Sequence, residues 1–140
     1  MTEFFMAMIP PTATHQEKRF VYKNGQPYFY EDEKLKSARA KLSAYLSKHI
    51  PKEPYTSAVR LIVKWCFPVT GKHINGDYKT SKPDTDNLQK LLKDIMTDLG
   101  YWKDDALVCS DLCEKFYADV PGIYINIKEL PTNGHFKSEV

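Results

Sequence analysis

Three aspartates and a lysine stand in a pattern suited to holding a divalent metal against a phosphate. Asp84 and Asp86 are two residues apart, Lys90 follows Asp86 by four, and Asp105 comes after a further apolar stretch and a short loop. Residues two apart inside a helix point in different directions. At a helix start the first can be non-helical, so both carboxylates can turn towards one point. Asp86 and Lys90, four apart, share a helix face. A strand packed beside that helix could return Asp105 to the helix N-terminus. Phosphodiester hydrolysis needs charge neutralised at the phosphorus and a water made nucleophilic. Mg²⁺ does both, held by a few hard oxygen ligands plus waters and substrate phosphate. A nearby lysine adds a point charge for the scissile phosphate. Carboxylates packed together repel unless a cation joins them.

Each of these residues also has an ordinary structural explanation. Asp84 and Asp86 suit a helix cap and first turn, Asn87 another cap, and Lys90 an i,i+4 pair with Asp86 or Asp94. Asp104 and Asp105 suit a turn. On position alone, both explanations stand.

The elements that must carry these residues can be read from apolar spacing. Leu88, Leu91, Leu92, Ile95, Met96 and Leu99 recur at helical intervals, so Asp84–Leu99 reads as a helix, with Pro83 before it and Gly100 as its stop. Glu31–Ile50 reads as a second helix on Leu35, Ala38, Leu42, Tyr45, Leu46 and Ile50, with Pro51 and Pro54 ending it. Phe4–Ile9, Ala58–Phe67, Leu107–Tyr117 and Ile123–Ile127 read as strands, and Ala58–Phe67 as a central one. Phe20–Lys23 and Pro27–Tyr30 flank Asn24-Gly25, a hairpin signal. Residues 68–83 form a long loop, and long loops in compact domains tend to be functional. The order predicts an α+β fold, one mixed sheet with two main helices. Residues 1–130 read as one domain and 131–140 as a polar, flexible tail.

The chain has 140 residues, 42% of them hydrophobic, with seven Phe, nine Tyr and two Trp. That is enough for a core without staples and excludes a disordered chain. The formal charge of +2 is unevenly spread. Lys18, Arg19 and Lys23 form an acid-free stretch, as do Lys34, Lys36, Arg39, Lys41 and Lys48, while the acids gather from Asp84 to Asp119. Separate zones could hold phosphates with one and a metal with the other. Three cysteines, with no C-x-x-C, fit a reducing cytoplasm rather than a disulfide framework or a zinc finger. No apolar run suits export or a membrane span.

The stretch Lys82–Lys115 resembles the RusA family of crossover-junction endodeoxyribonucleases. That family's pattern is Asp-x-Asp-Asn-Leu-x-Lys at a helix start, then Gly, then Asp-Asp-x-x-Val, then a Lys on the next strand. Here it reads Asp84-Thr85-Asp86-Asn87-Leu88-Gln89-Lys90, Gly100, Asp104-Asp105-Ala106-Leu107-Val108 and Lys115. The match covers about a quarter of the chain, with several polar residues at fixed offsets. The opening strand with Pro10-Pro11, and Lys18-Arg19, resemble the family more weakly. The resemblance implies a Mg²⁺ site (Mn²⁺ substituting) made by Asp84, Asp86 and Asp105, with Lys90 essential for catalysis. It implies a homodimer that nicks opposed strands of four-way DNA, leaving 5′-phosphate ends. A bacterial cytoplasmic setting goes with it, whether the gene is cellular or phage-borne, and neither a membrane nor a small-molecule substrate is expected.

Asp104 and Asn87 are candidates for supporting the ligands from one layer out. Lys18, Arg19, Lys72, Lys79, Lys82 and Lys115 are candidate DNA contacts, since an acidic pocket alone would repel phosphate. Before Asp84 the family is richer in arginine than this chain, which bears on DNA affinity rather than chemistry. Phe20, Tyr22, Tyr28, Phe29 and Tyr30 could stack on unpaired bases, though alternating aromatics more often build sheet core. Two other readings remain open: a branched-DNA-binding protein that does not cut, and a less selective flap nuclease. The spacing of an EF-hand is missing.

Overall fold

The computed structural model describes residues 1–14, 18–23, 26–31 and 33–133, the segments 18–23 and 26–31 through their backbone alone. The central element is β4, Val59–Pro68, where buried Val59, Leu61, Val63, Trp65 and Phe67 alternate with more exposed neighbours. Alternation of this kind buries one face of a sheet and leaves the other to solvent. β4 pairs in parallel with β5, Val108–Ala118, and antiparallel with β6, Gly122–Glu129. β6 pairs in turn with β1, Thr2–Met6, giving a mixed sheet in the order β1-β6-β4-β5. A separate hairpin joins β2, Lys18–Lys23, to β3, Gln26–Glu31.

Two helices, α1 (Glu33–Leu46) and α2 (Thr85–Asp98), bury Leu35, Leu42 and Leu46, and Leu88, Leu91, Leu92, Ile95 and Met96. These side chains form one core with Val59 to Phe67 of β4, Ile123, Ile125 and Ile127 of β6, and Met6. Each such fully buried side chain contributes roughly 1.5–3 kcal/mol. The fold is therefore the expected α+β arrangement, with a four-stranded mixed sheet, a separate hairpin and two α-helices among the described residues.

α2 closes as its sequence predicts. Gly100 takes φ 86°, its N–H donates to Thr97 O at 3.1 Å, and Tyr101 N donates to Met96 O at 3.0 Å. This pair of hydrogen bonds across a left-handed glycine satisfies two of the last carbonyls of the helix. Tyr101 and Trp102, expected in a loop, are instead core residues. The Tyr101 hydroxyl donates to Leu46 O at 2.5 Å, and Trp102 Nε1 to Thr97 Oγ1 at 2.8 Å.

Several boundaries shift for visible reasons. β1 ends at Met6, opposite Ile123 near the start of β6, so Ile9 is left exposed. Glu31 pairs with Lys18 and belongs to β3 rather than α1. α1 stops at Leu46 because Lys48 and His49 bond to carbonyls three residues back, a tightening turn ahead of Pro51. The turn Asn24-Gly25 and residues 134–140 of the expected tail lie outside the described residues. Among the described residues no helix is long and apolar enough to cross a membrane.

At the start of β6, a Cβ on Gly122 would stand 2.1 Å from the Phe5 ring and 2.6 Å from Met6 O. The ring can rotate away but the backbone carbonyl of a paired strand cannot. Gly122→Ala should therefore lower stability by about 1–3 kcal/mol, read as a reduced denaturant midpoint at unchanged m.

Candidate metal and phosphate site

The register of β4 against β5 sets Asp111 beside Leu61, Cys113 beside Val63 and Lys115 beside Trp65. These polar residues therefore share the face that α2 covers. α2 runs along them in the reverse direction: Lys115 bonds to carbonyls just before the helix, the Cys113 thiol points at Thr85 O (3.9 Å), and Gln89 Nε2 donates to Asp111 Oδ1 at 2.5 Å. The N-terminal half of α2 and the edge strand thus form two walls of an open pocket of about 610 Å³.

Gln89 links this pocket to the core. It is buried on the apolar stripe, three residues before Leu92 and seven before Met96, and its Oε1 accepts from Trp65 Nε1 at 3.1 Å. Its other end holds Asp111, whose Oδ2 accepts from Lys93 Nζ at 2.8 Å. Trp65, Gln89, Asp111 and Lys93 form one continuous polar chain. A buried amide satisfied at both ends fixes how the helix sits on the strand.

Asp86, Lys90 and Asp105 line this same pocket. Asp86 lies in the first turn of α2, and Asp105 opens a 3-10 turn, Asp105–Leu107, just before β5. That turn is anchored from behind, because Tyr55 N donates to Tyr101 O and Lys103 N to Tyr55 O, both at 3.0 Å, beside buried Trp102. Asp84 is the N-cap residue of α2 in extended conformation (φ −74°, ψ 150°), exposed, outside the pocket lining, and its carboxylate makes no capping bond. The non-helical first aspartate is as expected, but its carboxylate does not line the pocket that Asp86 and Asp105 share. Among the described residues, no three His, Cys, Asp or Glu side chains stand close enough to enclose a metal ion.

Charge in the pocket is unevenly matched. Lys93 pairs with Asp111 at 2.8 Å, both about a quarter exposed, and Lys90 pairs with Asp94 at 3.7 Å, with Lys90 72% exposed. An ion pair so exposed is worth about 0–1 kcal/mol, so Lys90 is free to leave it. Asp86 and Asp105 have no basic partner among the described residues. Two uncompensated carboxylates on one open pocket attract a cation. Mg²⁺ commonly takes one or two carboxylates and keeps several waters. Asp86 or Asp105 could hold an ion that keeps most of its waters; among the described residues there is no closed cage. Burial pushes the Cys113 thiol up to about 12, so without a metal it stays protonated at neutral pH.

The family model for endodeoxyribonuclease RusA matches residues 9–128. The chain belongs to the RusA family. It is 32% identical over 130 residues to the crossover junction endodeoxyribonuclease rusA of Lactococcus phage r1t, covering 91% of this chain and 96% of that one. It is also 29% identical over 119 residues to the uncharacterized protein YqaN of Bacillus subtilis (strain 168), covering 77% and 83%. The family match thus extends well beyond Lys82–Lys115 and takes in both pocket walls.

The remaining candidates of this RusA-family chain are placed as follows. The Asp104 carboxylate accepts from Ala106 N at 2.8 Å and caps the 3-10 turn, so it shapes the backbone around Asp105. Asn87 is half-buried in the first turn of α2. Lys79 Nζ donates to Ser81 Oγ at 2.7 Å and lies 5.2 and 5.1 Å from the ring centroids of Phe67 and Tyr117. Lys72 and Lys82 are exposed, and the Lys82–Pro83 peptide bond is cis. Lys115 donates to Ser81 O and Pro83 O at 2.8 and 2.9 Å. Lys18 and Arg19 stand at the start of β2, but their side chains, like those of the hairpin aromatics, lie outside the described residues.

Sequence reading missed Gln89, Lys93 and Asp111. The only hint was a glutamine on the apolar stripe of α2, and the two partners could not be paired without the strand register. Gln89→Leu should leave the Trp65 indole N–H and one Asp111 oxygen without partners, costing about 2–3 kcal/mol. Chemical denaturation checks this; a loss under about 0.5 kcal/mol would mean that the polar chain does not hold the helix.

Proposed function

We propose that this chain is a Mg²⁺-dependent endonuclease that resolves four-way DNA junctions by paired nicks. Family membership supports a DNA-cutting function, and the phage relative named a crossover junction endodeoxyribonuclease supports the junction as substrate. The observation that carries the metal-dependent chemistry is the pocket that Asp86, Lys90 and Asp105 line, where among the described residues neither aspartate has a basic partner.

In this reading Asp86 and Asp105 hold Mg²⁺, with Asp84 contributing from the helix start. A bound Mg²⁺ would supply charge neutralisation at the phosphate and would lower the pKa of a water there. Lys90, on the same helix face as Asp86, turns from its weak pair with Asp94 towards the phosphate and stabilises charge developing there. Asp104 holds the Asp105 turn in shape, and Gln89 and Lys93 together hold Asp111 on the facing strand. Lys72 and Lys82, exposed on the loop ahead of Asp84, contact DNA phosphates outside the pocket. Two nicks in opposed strands need two such sites, hence a homodimer. No described helix covers the second face of the sheet, and Phe5 and Leu112 are exposed there, apolar surface for a second copy to bury. Such a protein acts where DNA recombines, in the cytoplasm of a bacterial cell.

Asp86→Asn and Asp105→Asn should each cut a junction about 10²-fold or more slowly while binding it as well as, or better than, the parent, because negative charge near phosphate is removed. Cleavage rate and gel-shift affinity measured side by side check this, and lost binding would overturn the division of labour. Dimers mixed from Asp86→Asn and unaltered subunits should nick one strand only; paired nicks from mixed dimers would contradict two independent sites. Changing Lys72 and Lys82 together to Ala should reduce the slope of log affinity against log salt by about two. An unchanged slope would remove them from the DNA surface.

A further inference from the structure

The segment between β4 and α2 is long and polar, yet it is not loose. Gly76 N donates to Tyr117 O and Tyr117 N to Asp77 O, both at 2.8 Å, and Lys79 N donates to Lys115 O at 3.1 Å. With the isolated bridge Tyr78–Phe116, these bonds hang residues 76–79 on the outer edge of β5. The edge bonding ends there, four residues short of Pro83, and a single side chain takes over. Lys115 Nζ donates to Ser81 O at 2.8 Å and to Pro83 O at 2.9 Å. Pro83 is buried and Lys115 half-buried. The Pro83 carbonyl belongs to the peptide that leads into Asp84, and Asp84 O in turn accepts the first helical bond, from Leu88 N at 3.1 Å. Asp84 is thus held from behind by an ammonium group and from ahead by the helix, and its own carboxylate is spent on neither.

A lysine bonded to two backbone carbonyls is poorly placed to serve DNA. Reaching a phosphate would cost it both bonds and leave the part-buried carbonyl of Pro83 without its partner. We infer that Lys115 is a positioning residue, not a DNA contact: it clamps the Ser81 and Pro83 carbonyls so that the Asp84 carboxylate is presented at the start of α2 for the metal. This rests on the metal-dependent reading above. A partner one layer behind a metal ligand typically sets affinity by a factor of about 10–100.

The test compares Lys115→Met with the unaltered full chain by two readouts. One is Mn²⁺ binding without DNA, with free Mn²⁺ counted by its paramagnetic resonance signal. The other is the salt dependence of four-way-junction binding in EDTA. We expect Mn²⁺ affinity to fall about tenfold or more in a protein that is still folded, with the salt slope unchanged. Lys115→Gln, which can still donate to one carbonyl, should fall between and serves if the methionine variant does not fold. A slope flattened by about one at unchanged Mn²⁺ affinity would overturn the inference and make Lys115 a phosphate contact. Lowered stability with both readouts unchanged would overturn it in favour of a purely structural lysine. Should the unaltered chain bind Mn²⁺ but cut no junction, the substrate assignment fails while the Mn²⁺ comparison still decides the role of Lys115.

Discussion

The burial of α2 against β4, in the one register that Gln89 permits, is the constraint on which the site depends. Apolar burial alone would hold the helix on the sheet but would tolerate sliding, because Leu, Ile and Met surfaces are forgiving of small shifts. A buried amide is not forgiving. Its carbonyl end must meet the Trp65 indole and its amino end must meet Asp111, or a polar group is left unpaired in the core. The bridge therefore converts a non-directional attraction into a fixed alignment of helix on strand.

From that alignment the pocket follows. α2 runs against β5 in the reverse direction, so each polar residue along the strand meets a defined point on or just before the helix: Asp111 at Gln89, Cys113 at Thr85, Lys115 at Pro83. The stronger acid–base pairing spans the two walls, where Lys93 of α2 neutralises Asp111 of β5. Asp86 and Asp105 line the same pocket and have no basic partner among the described residues. Tyr101 and Trp102, seated in the core, keep the turn that carries Asp105 from drifting away.

Much of this was legible in the sequence, for reasons that are local. The apolar stripe from Leu88 to Leu99, Pro83 before it and Gly100 after it mark α2 within a residue or two, because periodicity and left-handed glycine are properties of short segments. The extended conformation of Asp84 was legible for the same reason. What escaped depends on pairings distant in sequence. Tyr101 and Trp102 look like loop residues until their partners Leu46 and Thr97 are known. Gln89 looks like any surface glutamine unless Trp65 is placed beneath it. Lys115 was read as one more cation for DNA, whereas its ammonium meets backbone carbonyls more than thirty residues back. The side chain of Asp84 was expected beside those of Asp86 and Asp105, yet it stands outside the pocket they line.

The most direct test of junction resolution is cleavage of a labelled four-way junction beside linear duplex of the same sequence, with Mg²⁺ and with EDTA. A resolvase gives paired symmetric nicks with religatable 5′-phosphate ends, in the junction and only with Mg²⁺. Tight junction binding without any cutting in Mg²⁺ or Mn²⁺, or cutting of linear duplex at an equal rate, would contradict it.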